Sequence, residues 1–269
     1  MNVFIKTVFI IGLLNCHAFA NEFKVIALAP NIVEMIFSIG AGDKIIATTE
    51  YADFPERAKL IPRIGNYANL QIEKIIALQP DYIFSWKDGN SPADLKRLES
   101  LGFKLVDISP KSIFEVKENF EVLGKTLKIN TDEITNKYMA KLKKLEQEYS
   151  IKTPVKVFYE IWGNPLTTIS GSSFIQQSLN LCGAENVFAN LKTDYPIVSI
   201  ESVLMAAPSI IIQPKDKFKN NFKDWAEWQN IPAVSNKAFI QPNADKLHRL
   251  TLRTLDEINI LCQKIDAYR

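Results

Sequence analysis

A two-lobed α/β fold, in which two Rossmann-like lobes with parallel-type sheets are joined by a single long backbone helix, is predicted by three features of this chain. The first is alternation: short apolar, β-rich runs are separated by helix-period segments in both halves, and that order builds parallel sheets covered by helices. The second is an internal echo. Ile72, Glu73, Pro80 and Ile83 recur as Ile200, Glu201, Pro208 and Ile211 without a gap, so residues 72–85 and 200–213 follow one plan. A single echo at this distance is too long for a solenoid period and fits two similar lobes. The third is a helical stripe of Ile134, Tyr138, Leu142, Leu145 and Tyr149 between the halves.

The elements follow in chain order. Residues 23–29 read as a strand, Pro30 and Asn31 lead into a helix over 32–39, and Gly40-Ala41-Gly42 stops it. Strands are expected at 44–48, 81–86 and 103–108, with helices at 71–78 and 92–101 between the later ones. Each copy of the echo is a short helix with a glutamate in its first turn, a proline that ends it, and an apolar strand. Residues 131–149 form the linking helix, with Thr131 as N-cap and Asp132 and Glu133 suited to the positive end of the helix dipole. At 1.5 Å per residue it would reach roughly 28 Å, the length of a lobe. The second half repeats the alternation with a strand at 155–161, helices at 173–181 and 200–206, strands at 209–213 and 238–241, and a final helix over 250–267. The expected division is a signal at 1–20, a first lobe at 21–128, a linking helix at 129–152 and a second lobe at 153–269.

The N-terminus sets the compartment. Lys6, an apolar run over 8–14 and Ala18-Phe19-Ala20 before Asn21 have the plan of a cleavable secretory signal, with cleavage after Ala20. The apolar run is far shorter than the ~20 residues needed to span a bilayer. Asn15 before Cys16 is the wrong residue type for lipoprotein processing. Cleavage leaves 249 of the 269 residues, with Cys182, Cys262 and a single histidine, His248. Two cysteines in an exported chain suggest one disulfide. One histidine beside paired cysteines is poorly equipped for zinc, copper or manganese, so no metal site is expected. After cleavage 31 basic residues face 30 acidic ones, which gives no reason to expect nucleic acid or an anionic membrane as partner. Apolar residues at 47% are enough for two moderate cores. Ser170-Gly171-Ser172-Ser173 lacks the Gly-x-Ser-x-Gly of a nucleophile elbow, and no Gly-rich phosphate loop occurs, so an enzyme is not expected.

The string from Val25 to Thr49, with Pro55, Ile64-Gly65-Asn66-Tyr67, Ile72-Glu73, Leu78-Gln79-Pro80-Asp81 and Ser85 to Asn90, resembles the periplasmic binding proteins with a helical backbone. These receptors feed metal-chelate ABC importers. Trp86-Lys87-Asp88-Gly89-Asn90, the run from Leu181 to Phe188 and the late Cys262 are most similar to the corrinoid branch of that family. The resemblance implies a ligand cleft between the lobes, with cobalamin or a related corrinoid as transported ligand rather than a prosthetic group. It also implies ligand contacts from Tyr67, Trp86, Trp162, Tyr195, Asp245 and Arg249, although Tyr67 and Tyr195 stand where tryptophans are expected. A corrin is a broad apolar plate fringed with amides, which flat aromatic walls and sparse polar groups suit. Its cobalt is already held by the macrocycle. Glu73 and Glu201 would meet arginines on the two subunits of an inner-membrane permease, one glutamate per lobe. The receptor itself is expected to be a monomer in the periplasm. A haem or iron-siderophore receptor on the same scaffold is the alternative, with Tyr67, Tyr159 and Tyr195 as candidate iron ligands. His248 reads as a solvated or capping residue.

Overall fold

A computed structural model describes residues 23–215 and 222–269; the expected signal, with Cys16, lies outside the described residues. The first half contains β1 (Val25–Ala27), α1 (Pro30–Ser38), β2 (Ile45–Thr48), α2 (Ile72–Leu78), β3 (Tyr82–Ser85), α3 (Pro92–Ser100) and β4 (Leu105–Asp107). Its strands are all parallel, in the order β2-β1-β3-β4. Helix α1 begins two residues earlier than expected because Pro30 takes its first position, where a fixed φ helps and a missing N–H costs nothing.

Two helices follow. The first, α4 (Val116–Leu127), was not anticipated, although Val116, Phe120, Leu123 and Leu127 lie at helical spacing and are buried. The second, α5 (Asp132–Tyr149), is the expected long helix. Thr131 does not cap it with its hydroxyl; Asn130 does the work, its side-chain oxygen accepting from the Asp132 N–H at 2.7 Å. Thr131 is instead packed against Gly124, where even a Cβ would come within 2.7 Å of the threonine methyl.

The second half contains β5 (Val155–Gly163), β6 (Leu166–Thr168), α6 (Phe174–Leu181), β7 (Ala184–Asn186), α7 (Ile200–Ala206), β8 (Ile210–Ile212), α8 (Pro232–Ser235), β9 (Phe239–Ile240), α9 (Ala244–Leu247) and α10 (Leu252–Asp266). Strands β7, β5, β8 and β9 pair in parallel, and β6 adds antiparallel to the end of β5. The parallel part therefore repeats the order of the first sheet, second strand beside first, then third and fourth. Three-residue strands such as β6 and β7 are too short to leave a period in the sequence. The expected final helix over 250–267 is α10, which starts at Leu252 because Leu250 turns through positive φ and Thr251 with Thr254 forms a capping box.

The echoed segments are alike down to the backbone. Helices α2 and α7 are each seven residues long, and each ends on a left-handed residue, Gln79 at φ 47° and Ala207 at φ 45°. The proline that follows forbids the helix from continuing, so the reversal is made by a non-glycine residue that ordinarily avoids it. Parallel strands β3 and β8 follow in the same place in their sheets.

The largest group of buried residues runs unbroken from Met35 on α1 through Phe120, Tyr138 and Leu142 to Val157 on β5 and Leu255 and Ile258 on α10. Helix α5 is therefore no free strut: Tyr138, Leu142, Leu145 and Tyr149 are all buried, and the Tyr138 hydroxyl donates to the Ile113 carbonyl at 2.7 Å. Cys182, just past α6, is bonded to Cys262 on α10, with both residues fully buried and Cα atoms 4.6 Å apart.

Candidate functional site

Parallel strands deliver all their carboxyl ends to one side of a sheet, and ligands in such folds bind there. A cavity of about 1150 Å³ lies at those ends. Pro30 and Asn31 reach it from the end of β1, Thr49 to Tyr51 from β2, Trp86 and Asp88 from β3, and Pro110 and Lys111 from beyond β4. From the second half Ile161 comes off β5, Asp194 and Tyr195 off the loop after β7, and Asp245, His248 and Arg249 off α9 and the turn after it. The wall is thus shared between the halves.

Of the six residues expected to touch ligand, Tyr67, Trp86, Tyr195, Asp245 and Arg249 lie on this wall. Trp162 does not. Its neighbour Ile161 lines the cavity, β5 is irregular between Glu160 and Trp162, and the Trp162 indole N–H donates to the Asn164 carbonyl at 2.8 Å. Trp86 is held by a tight loop in which the Asn90 carboxamide oxygen accepts from the Trp86 N–H at 2.8 Å and its nitrogen donates to the Leu28 carbonyl at 2.9 Å. Gly89 is obligatory in that loop, since a Cβ there would lie 2.1 Å from the indole. Tyr67 and Tyr195 are 51% and 45% exposed, large aromatic side chains at the cavity wall. Burial pushes the Tyr195 phenol up, so it stays protonated, and its neighbour Asp194 accepts from the Ser172 hydroxyl at 2.6 Å.

Arg249 sits at the centre of an ionic knot between the halves. Its guanidinium donates to Glu34 on α1 at 2.9 Å, to Asp53 at 2.8 Å and to Asp245 at 2.6 Å. Glu34 is only 2% exposed and also accepts from Arg253 and, at 3.0 Å, from the Thr251 hydroxyl. Burial alone would lower the Arg249 guanidinium, but the bonds to Asp53 and Glu34 and the field of Asp245 hold it above its ordinary value. Glu34 and Asp53 were not among the expected site residues. The signal for Glu34 was present: a carboxylate among Ile32, Val33, Met35 and Ile36, where an apolar helix face would otherwise be continuous.

His248 is the C-cap residue of α9, its backbone N–H donating to the Ala244 carbonyl at 2.9 Å. It lies on the cavity wall, its Nε2 2.8 Å from the Tyr159 hydroxyl, and burial pushes its imidazole down to about 4, so the ring is neutral at pH 7. Tyr159 is fully buried and its phenol is pushed well up, so it keeps the proton it shares with that nitrogen. Glu73 and Glu201 lie away from the cavity, exposed in the first turns of α2 and α7. Glu73 pairs with Arg97 at 3.2 Å on the surface, whereas the Glu201 carboxyl is lowered by its own backbone N–H and the Ser199 hydroxyl.

Residues 25–244 match the family described as periplasmic binding protein. This chain belongs to that family. Among curated members it is 34% identical over 243 residues to the vitamin B12-binding protein of Vibrio cholerae serotype O1 (strain ATCC 39315), covering 89% of this chain and 87% of the relative. To the vitamin B12-binding protein of Vibrio vulnificus (strain YJ016) it is 35% identical over 243 residues, covering 89% of each. Among solved structures, the periplasmic vitamin B12 binding protein BtuF of Vibrio cholerae superposes with a TM-score of 0.81 at 33% identity, over 91% of this chain and 97% of that one. The periplasmic heme-binding protein RhuT from Roseiflexus superposes at 0.76 over 92% and 100%, and at 18% identity shares the fold alone. The periplasmic binding protein fold accounts for the two matching sheets and for a cavity walled by both.

Proposed function

We propose that this periplasmic binding protein captures cobalamin or a related corrinoid in the cavity between its halves and delivers it to the permease of an ABC importer. The observation that carries this reading is the composition of the cavity wall. At about 1150 Å³ it exceeds the usual drug-sized pocket and offers the faces of Tyr67, Trp86 and Tyr195. Its charged residues are Glu50, Asp88, Asp194 and Asp245 against Lys111 and Arg249, and Arg249 is already engaged by three carboxylates. An anionic siderophore, or the carboxylates of haem, would meet more acid than base, whereas a broad ligand with neutral amide arms would not. The relatives named for vitamin B12 point the same way. Tyr67, Trp86, Tyr195 and Asp245 are the proposed ligand contacts, with Arg249 holding Asp245 in place; Trp162 is left out of the set because Ile161 takes its place on the wall.

The compartment is the periplasm, reached after removal of residues 1–20. The lobes are proposed at 21–128 and 153–269, and the working state is a monomer. Glu73 and Glu201 are proposed as one docking point per lobe for basic residues on a two-fold permease, a role supported by their exposure and their equivalent places in the two echoed segments. Calorimetry of the mature chain tests the cargo: sub-micromolar binding of cyanocobalamin is expected, and no heat with cobalamin or cobinamide beside clear binding of haemin would overturn it. Glu73→Ala with Glu201→Ala is expected to abolish uptake with ligand affinity unchanged, and a loss of affinity would place these residues in the binding site instead.

A further inference from the structure

We propose that the ends of β1 and β2 form a subsite for a primary carboxamide on the rim of the ligand, Asn31 and Thr49 donating to its carbonyl oxygen and Glu50 accepting from its N–H. The inference rests on the corrinoid reading above and says which part of such a ligand this wall would recognise.

Three observations converge on one patch. Thr49 lines the cavity and is fully buried, yet its hydroxyl has no hydrogen-bond partner among the described residues. A buried hydroxyl left unpaired is costly and calls for a partner. Asn31 also lines the cavity, is 9% exposed, and its carboxamide makes no hydrogen bond to another described residue. The nine-residue helix α1 starts there without a side-chain cap: Ala29 offers none, Pro30 has no N–H, and the first bonded amide is that of Val33, to the Ala29 carbonyl at 3.2 Å. The amides of Asn31 and Ile32 are thus spare donors at the positive end of a helix.

The sheet brings these groups together. Ala27 and Thr48 are partners in the parallel register, and the Thr48 hydroxyl donates to the Ala27 carbonyl at 2.8 Å, tying the ends of β1 and β2 side by side. Asn31 and Thr49 follow directly from those ends, and Glu50 is the next residue on the same wall. Donors from Asn31, Thr49 and the helix end suit an oxygen with two lone pairs; a carboxylate beside them suits a group that also carries hydrogens. A primary amide is both. A carboxylate arm would set a negative charge beside Glu50 and Asp88, and a hydrocarbon arm would leave Thr49 unpaired.

The test uses the mature chain, calorimetry, and three probes: cyanocobalamin, its monocarboxylic acids with one side amide hydrolysed, and dicyanocobinamide, which lacks the phosphodiester loop. Thr49→Val keeps the shape and removes the hydroxyl. Its Tm in the free protein is expected to hold or rise, while cyanocobalamin binds roughly five- to tenfold more weakly. Asn31→Ala should weaken binding by a similar factor. The loss should be equal with dicyanocobinamide; a loss confined to cyanocobalamin would mean that a phosphate is read, and would overturn the amide assignment. Wild type should discriminate against at least one monocarboxylic acid by tenfold or more, with Glu50→Gln narrowing the gap. Undiminished affinity in Thr49→Val and Asn31→Ala, or equal affinity for every monocarboxylic acid, overturns the subsite alone. Failure of the wild type to bind any corrinoid overturns the reading beneath it.

Discussion

Replacing Glu34 by glutamine removes one charge and almost no volume from the knot that joins the halves. Glu34 receives Arg249 at 2.9 Å, Arg253 at 3.0 Å and Thr251 at 3.0 Å, so all its acceptor capacity is in use. A glutamine offers one oxygen and turns an NH2 toward a guanidinium, setting donor against donor. Breaking a buried pair by neutralising one partner costs about 3–5 kcal/mol, because the other charge is left uncompensated. Arg249 keeps Asp53 and Asp245, at 2.8 and 2.6 Å, which places the cost at the lower end, about 3 kcal/mol. For a chain of this size 1 kcal/mol is worth about 2–4 °C, so Glu34→Gln should lower the Tm by roughly 6–12 °C. Thermal and guanidinium unfolding followed by circular dichroism reads this directly. A double-mutant cycle with Arg249→Gln should show coupling of at least about 1 kcal/mol. A Tm drop under about 2 °C, or strictly additive effects, would refute the view that this knot fastens the two halves.

Other outcomes follow from the same geometry. The imidazole of His248 is held down to about 4 in the fold but titrates near 6.5 when unfolded, so between those values the unfolded chain binds the extra proton and stability falls as pH falls. The ceiling is about 3 kcal/mol, reduced by the ring's partial exposure; urea midpoints from pH 7 to 4 should drop less steeply in His248→Gln, and parallel slopes would refute it. Asp245 on the same wall and Glu257, whose field reaches Tyr159, are unchanged in that variant and cancel in the comparison. Reducing the Cys182–Cys262 bond, whose ends are 80 residues apart, should cost about 2–4 kcal/mol in unfolding free energy, measured as a lowered guanidinium midpoint. Gly89→Ala should drive the Trp86 indole from the wall, shift tryptophan fluorescence and weaken cyanocobalamin about tenfold. Trp162→Ala should leave affinity within twofold.

Most of the fold was legible because it is written in periods and in stops. The echoed prolines announced two like lobes, and the stripe from Ile134 to Tyr149 announced the long helix. Helix α4 carries an equally good stripe in Val116, Phe120, Leu123 and Leu127. Strands β6 and β7, three residues each, hold no period at all. At the site, Trp86 was legible through the loop motif around it. Trp162 lies off the cavity wall, next to an irregularity of β5 between Glu160 and Trp162 that the local sequence does not announce. Arg249 was found but its partners were not: Glu34 lies 215 residues away and Asp53 lies 196 away, distances at which only the fold makes neighbours. His248 caps α9, but the partner of its ring, Tyr159, comes from another strand and leaves no local signal.

The unbroken core beneath α4, α5 and α10 bears on how quickly the receptor fills. Two halves that share one interior bend as one body, so no separate closing step has to follow arrival of the ligand. Capture should then be a single bimolecular event whose observed rate climbs in proportion to ligand concentration without levelling off.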